Sequence, residues 1–136
     1  MIIVDTSVLI GFLRGVDSPA VRYLAALDAE ILPYRVPELV AQELLQGARD
    51  EREWEALVGW LDTQLGVAPA DARLAHRAAA RIYFDARRRG VTVRSTVDCF
   101  LAAIAIEHDA VLLHDDADFE RMTAVCSLRT WRPETS

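Results

Sequence analysis

Four acidic side chains occupy positions where an ordinary fold takes apolar or neutral ones. Asp5 directly follows the apolar run Ile2-Ile3-Val4, Glu43 lies on the apolar stripe of a helical segment, Asp98 enters a nearly all-hydrophobic helix, and Asp116 follows Val111-Leu112-Leu113. Carboxylates brought together demand neutralisation. Two of them about 4 Å apart repel by roughly 4 kcal/mol at an effective dielectric of about 20, against a total stability of about 5–15 kcal/mol. Either the four stand far apart, or some stay protonated, or divalent cations neutralise them.

Each position also has a structural explanation. Asp5 suits a helix cap, although Thr6 and Ser7 follow at once and offer the same service. Ser95-Thr96-Val97-Asp98 has the pattern of a capping box. Glu43 shares a helical face with Leu39, Val40 and Gly47, so pairing with an arginine is its structural alternative. Asp115, Asp116 and Asp118 fit a turn followed by a cap, which accounts for one or two of the three.

Other chemistries fare worse. His76, His108 and His114 are scattered without ligand spacing, and Ser7 has no histidine in reach by sequence to build a hydrolytic triad. The chain contains no lysine, which removes a phosphate-cradling P-loop and the lysine of acidic-cluster receiver domains. Arg87-Arg88-Arg89 before Gly90 reads as a solvated helix end.

A chain of 136 residues, 52% of them hydrophobic, suits one domain spanning 1–136 with a single core. No apolar run approaches the roughly 20 residues of a membrane span, and Met1 leads into Ile2 without a basic, then apolar, leader, so a cytoplasmic protein is expected. Cys99 and Cys126 read as buried or half-buried thiols. The net charge of −6 opposes a nucleic-acid partner unless the acidic excess is concentrated at a metal site. All 15 basic residues are arginines, which favours bidentate phosphate recognition.

The elements that must position the acids follow from periodicity. Ile2-Ile3-Val4 predicts a doubly covered strand, and Thr6 or Ser7 a cap for a helix over 8–13. Asp17-Ser18-Pro19 opens a second helix, Tyr34-Arg35-Val36 predicts the second strand, and Pro37 takes the first position of a helix running to about Gly47. An amphipathic helix is expected over 49–65, a very short strand at Val67, and a long helix from Asp71 to Gly90. Ser95-Thr96 caps a helix over 97–108, the run 110–114 is a buried strand, a helix covers about 118–124, and a last strand covers 127–131. Strands alternating with helices imply a mostly parallel sheet. Ligands of such sheets bind at the carboxyl ends of the strands, where Asp5 and the group Asp115 to Asp118 are expected.

The same residues carry a family resemblance. Ile2-Ile3-Val4-Asp5-Thr6-Ser7-Val8-Leu9, Val40-Ala41-Gln42-Glu43, Ser95-Thr96-Val97-Asp98-Cys99-Phe100-Leu101-Ala102-Ala103 and Asp115-Asp116-Ala117-Asp118-Phe119 together resemble, over nearly the whole chain, a PIN-domain ribonuclease of the VapC toxin type. The resemblance implies a PIN-like three-layer α/β/α sandwich with a short, mostly parallel central sheet. It also implies an Mg²⁺-dependent endoribonuclease, with Mn²⁺ able to substitute, that cleaves structured RNA such as tRNA or rRNA by metal-activated water. Its partners are a VapB-like antitoxin and a second copy in a homodimer, with no membrane. Asp5, Glu43, Asp98 and Asp116 are then the expected metal-site residues, with Asp118 supporting catalysis and Asp115 ranked third of the closing acids.

Two rival readings stand beside this one. A non-catalytic α/β interaction module would use the acids as caps and arginine partners. A metal-dependent phosphatase would use them as ligands, although Thr6 and Ser7 stand where an aspartate-nucleophile phosphatase carries its second aspartate. Trp54, Trp60 and the second helix offer apolar surface that serves either a partner or the core.

Overall fold

Ile3-Val4 and Leu112-Leu113 are adjacent pairs in which both residues are wholly buried, so the strands that carry them are covered on both faces. The computed structural model describes residues 1–134. In chain order it contains β1 (Ile2–Val4), α1 (Thr6–Leu13), α2 (Pro19–Ala29), α3 (Glu38–Gln46), α4 (Glu51–Leu61), α5 (Ala72–Arg88), α6 (Thr96–Glu107), β2 (Val111–Leu113), α7 (Ala117–Met122) and β3 (Arg129–Trp131).

The sheet runs β1-β2-β3 and is wholly parallel. Ile2, Ile3 and Val4 pair with Val111, Leu112 and Leu113, which pair in turn with Arg129, Thr130 and Trp131. Helices cover the sheet to make an α/β sandwich, and α6 is its most buried layer, with Leu101, Ala102, Ala103, Ile104 and Ala105 all inside. An apolar helix of this kind leaves little room for charge, which makes Asp98 in its first turn conspicuous.

The expected second strand over 34–36 contracts to one parallel bridge between Ile3 and Arg35. Val4 N–H donates to Arg35 O at 3.1 Å and Arg35 N–H to Ile2 O at 2.8 Å. Pro33 and Pro37 flank the segment without N–H groups to extend a ladder, so it stays short. The strand expected at Val67 does not form. The helix expected over 49–65 is trimmed to α4, because Asp50 accepts from Glu53 N–H at 2.8 Å and starts it later.

Caps decide the other boundaries. Ser18, Asp71 and Ser95 cap α2, α5 and α6 with their side chains, and Gly90 at φ +69° stands just past the end of α5, a conformation glycine adopts without a Cβ penalty. Pro37 precedes α3 as a cap without a side-chain bond, so the helix begins at Glu38. The expectation that Thr6 or Ser7 caps α1 is corrected: Asp5 is the cap, and it accepts from Ser7 N–H at 3.1 Å. A carboxylate one residue past the strand is already placed for the second N–H of the first turn.

Candidate metal centre

Pairing of Val4 with Leu113 sets the carboxyl ends of β1 and β2 side by side. Asp5 N–H donates to Leu113 O at 2.9 Å, which carries the contact one residue beyond the ladder. Arg35 borders β1 on its other flank. The chain therefore departs from β1 in both directions, the switch point at which parallel sheets take ligands. Asp5 and the loop 114–118 both stand there.

Asp5 is 5% exposed. Its Oδ2 accepts from Ser7 Oγ at 2.6 Å as well as from Ser7 N–H, and Ser7 Oγ in turn accepts from Asp115 N–H at 3.1 Å. Burial pushes the Asp5 carboxyl above its ordinary value, and the hydrogen bonds from Ser7 only partly oppose it. Thr6, beside it, donates from Oγ1 to Glu43 Oε1 at 2.9 Å. Consecutive residues of α1 thus fix two of the four acids. Among the described residues Glu43 has no arginine partner within ion-pair distance, so its structural alternative is not realised.

Asp98 completes only half of a capping box. Its N–H donates to Ser95 Oγ at 3.2 Å, but its carboxylate accepts no hydrogen bond among the described residues. Burial, followed in order by the charges of Asp5, Asp116, Glu43 and Asp118, pushes that carboxyl up to about 7. Residues from the end of β1, the middle of α3 and the loop before α7 all press on one side chain at the start of α6. The four predicted acids, with Asp118, are electrostatic neighbours.

The closing acids separate by their partners. Asp115 accepts from Arg132 Nε at 3.2 Å. Asp118, 2% exposed, accepts from Arg94 N–H at 3.2 Å and Arg94 Nη2 at 3.3 Å, and also pairs with Arg121. Burial works to raise the Asp118 carboxyl, but the bonds from Arg94 and the charges of both arginines outweigh it and hold the group below its ordinary value. Asp116 has no arginine partner among the described residues; its Oδ1 caps α7 by accepting from Asp118 N–H at 2.9 Å. Of the three, Asp116 is the one whose charge is left for the cluster.

These acids fit a hard divalent cation, being oxygen donors of like charge gathered round a carboxyl that resists ionisation. Among the described residues, no three His, Cys, Asp or Glu side chains yet converge closely enough to enclose an ion. Three of the acids are held by local donors: Ser7 bonds Asp5, Thr6 bonds Glu43 and the Asp118 N–H bonds Asp116. Thr6 and Ser7 as bridges, His114 beneath the loop, and the pair Arg94 and Arg121 lie outside the expectations from sequence. Hydroxyls directly after Asp5 were a usable signal, whereas Arg94 meets Asp118 across 24 positions and gave none.

The profile of the PIN domain matches residues 2–125. The VapC ribonuclease Mb1587 of Mycobacterium bovis is 38% identical over 130 residues, which covers 95% of this chain and 96% of that protein. Ribonuclease VapC11 of Mycobacterium tuberculosis matches to the same extent. In the crystal structure of VapBC2 from Rickettsia felis bound to a DNA fragment from its promoter, one chain superposes with a TM-score of 0.75 at 14% identity. The superposition covers 98% of this chain and 100% of that one.

Proposed function

The chain belongs to the PIN domain family, in its VapC type, and on that premise we propose that it is the ribonuclease toxin of a VapBC-type toxin–antitoxin module. The reaction is Mg²⁺- or Mn²⁺-dependent endonucleolytic cleavage of structured cellular RNA, of the tRNA or rRNA class. The observation that carries the reading is Asp98, a half-buried carboxylate without a hydrogen-bond partner among the described residues, whose affinity for a proton is raised by burial and by Asp5, Asp116 and Glu43. A site that prefers a proton over an empty negative charge is a site prepared for a cation.

Asp5 and Asp98 are the principal metal-site residues in this reading, with Glu43 and Asp116 completing the pocket. The cation supplies an activated water and stabilises charge developing on the phosphodiester. The chain's own residues hold the acids apart and in place: Ser7 fixes Asp5, and Thr6 fixes Glu43. Asp118 serves catalysis indirectly, by holding Arg94 and Arg121 at the rim. Guanidinium groups there offset the repulsion that four carboxylates exert on a polyanion, and their free N–H groups suit phosphate oxygens.

One core from Ile3 to Leu128 supports reading residues 1–136 as one domain. Two grooves suit the protein partners. One, lined by Ile10, Leu13, Leu44, Leu57 and Trp60, opens at Glu43 and is our candidate for the antitoxin, whose occupancy there blocks the acids. The other, between α5 and α6 and flanked by the exposed Tyr83 and Phe84, is our candidate for the homodimer contact. Among the described residues no helix is long and apolar enough to cross a membrane, and the proposed RNA substrate places the action in the cytoplasm.

Purified chain incubated with tRNA and rRNA, with Mn²⁺ or with chelator, tests the reading against an Asp98→Asn control. Metal-dependent scission that the variant lacks is expected. Cleavage that persists in chelator, or in Asp98→Asn at the wild-type rate, overturns it.

A further inference from the structure

His114 is wholly buried and takes no part in the chemistry above. Its Nδ1 lies 3.0 Å from the backbone nitrogen of Asp116, and its Nε2 lies 2.7 Å from Glu120 Oε1. That carboxylate oxygen also accepts from Thr130 Oγ1 at 2.8 Å. The His114 N–H donates to Trp131 O at 3.1 Å, and its ring packs on Phe119 with centroids 5.1 Å apart. The residue therefore ties the end of β2 to β3 through its backbone and to α7 through its ring.

These contacts determine the tautomer. A backbone N–H only donates, so Nδ1 must present a lone pair to Asp116; a carboxylate faces Nε2, so Nε2 carries the proton. With Nδ1 protonated instead, two donors would face each other at a wholly buried ring. Glu120 and Thr130 thus select the form of the imidazole that can hold the Asp116 backbone.

We propose that His114 is a positioning residue for the metal site: through Nδ1 it holds the Asp116 backbone so that Oδ1 caps α7 and Oδ2 remains available to a divalent cation. This rests on the assignment of Asp116 to the metal site. Partners one step removed from metal ligands commonly change metal affinity by about 10–100-fold when lost. The relation here is unusual in form, because the histidine acts on the ligand residue's main chain and not on its carboxylate.

Asparagine and glutamine divide the two functions of the ring. Asn sets an oxygen acceptor where Nδ1 stands, whereas Gln sets a donor where Nε2 stands. Calorimetric titration of Mn²⁺ into wild type, Asp116→Asn, His114→Asn and His114→Gln is the test. His114→Asn is expected to bind within a few-fold of wild type and His114→Gln about 10-fold more weakly. Equal affinities for the two His114 variants, with Asp116→Asn weakened, overturn the inference alone. Absence of Mn²⁺ binding by wild type, or undiminished binding by Asp116→Asn, overturns the metal assignment and the inference with it.

Glu120 is half-exposed, so Glu120→Ala offers a route that leaves the core filled. It is expected to weaken Mn²⁺ binding severalfold by releasing the tautomer; unchanged affinity counts against the inference. Imidazole ¹⁵N resonances of the wild type give a direct reading. An unprotonated Nδ1 with a protonated Nε2 is expected, and a protonated Nδ1 overturns the proposal whether or not the variants fold.

Discussion

Thr6 Oγ1 and Glu43 Oε1 meet at 2.9 Å across 37 residues of sequence, so the residue after Asp5 also restrains the acid on α3. The bond couples two members of the cluster through one turn of α1. Thr6→Val keeps the shape and removes the donor. It is expected to cost about 1 kcal/mol of stability and to weaken Mn²⁺ binding, with Thr6→Ser restoring both. Calorimetry on the three proteins checks this; undiminished binding by Thr6→Val would release Thr6 from the site.

Two Asp→Asn substitutions are expected to act with opposite sign. Asp98→Asn removes a charge that its neighbours disfavour, so the metal-free protein should be as stable as wild type or more so, while RNA cleavage is lost. Asp118→Asn removes the partner of two arginines inside the fold and should cost about 1–3 kcal/mol. Chemical denaturation in chelator decides; a destabilised Asp98→Asn would contradict the repulsion argument.

The metal-free protein should have a bell-shaped stability profile. An unfolded Asp98 ionises near 3.8, whereas in the fold burial and then the charges of Asp5, Asp116, Glu43 and Asp118 hold its proton to about 7. Between those values the folded state binds more protons, so stability is full below the lower one and falls as pH rises through the upper. Asp118 and Glu120 are held below their ordinary values and act oppositely, contributing above them and failing in acid. A maximum at about pH 5 is expected, and saturating Mn²⁺ should abolish the fall from there to about pH 7. Melting curves across pH, with and without the ion, measure it; a metal-free stability that climbs from pH 5 to 8 would refute the assignment.

Arg94 is expected to act on substrate affinity. Its side chain is 72% exposed although its guanidinium is anchored to Asp118, a combination that leaves donors facing solvent. Arg94→Ala should weaken binding of RNA to the metal-free protein regardless of sequence and reduce the salt dependence by about one phosphate contact. Filter binding over a salt series reads both quantities, and an unchanged slope would remove Arg94 from the interface.

The α/β order of elements was legible from local pattern, since Ile2-Ile3-Val4 and Val111-Leu112-Leu113 are short apolar runs and α6 is apolar almost throughout. Ser18, Asp71 and Ser95 announced their helices because capping is a contact within three residues. The strand expected at 34–36 and the one at Val67 failed for a different reason. A strand exists only where another offers a ladder, and between Pro33 and Pro37 the chain has room for a single bridge.

Residue types and spacing alone singled out Asp5, Glu43, Asp98 and Asp116 as anomalous, because charge against an apolar pattern is visible one segment at a time. Folding decided which closing acid keeps its charge for the cluster: Asp115 goes to Arg132 and Asp118 to Arg94 and Arg121, pairings set by loops that sequence separation does not reveal. It also made Asp5 a cap and a member of the acidic cluster at once, and placed His114 under Asp116 with its ring between Asp116 and Glu120. Local chemistry is written along the chain; partnership, burial and the electric field at a carboxyl arise only when distant segments share one small volume.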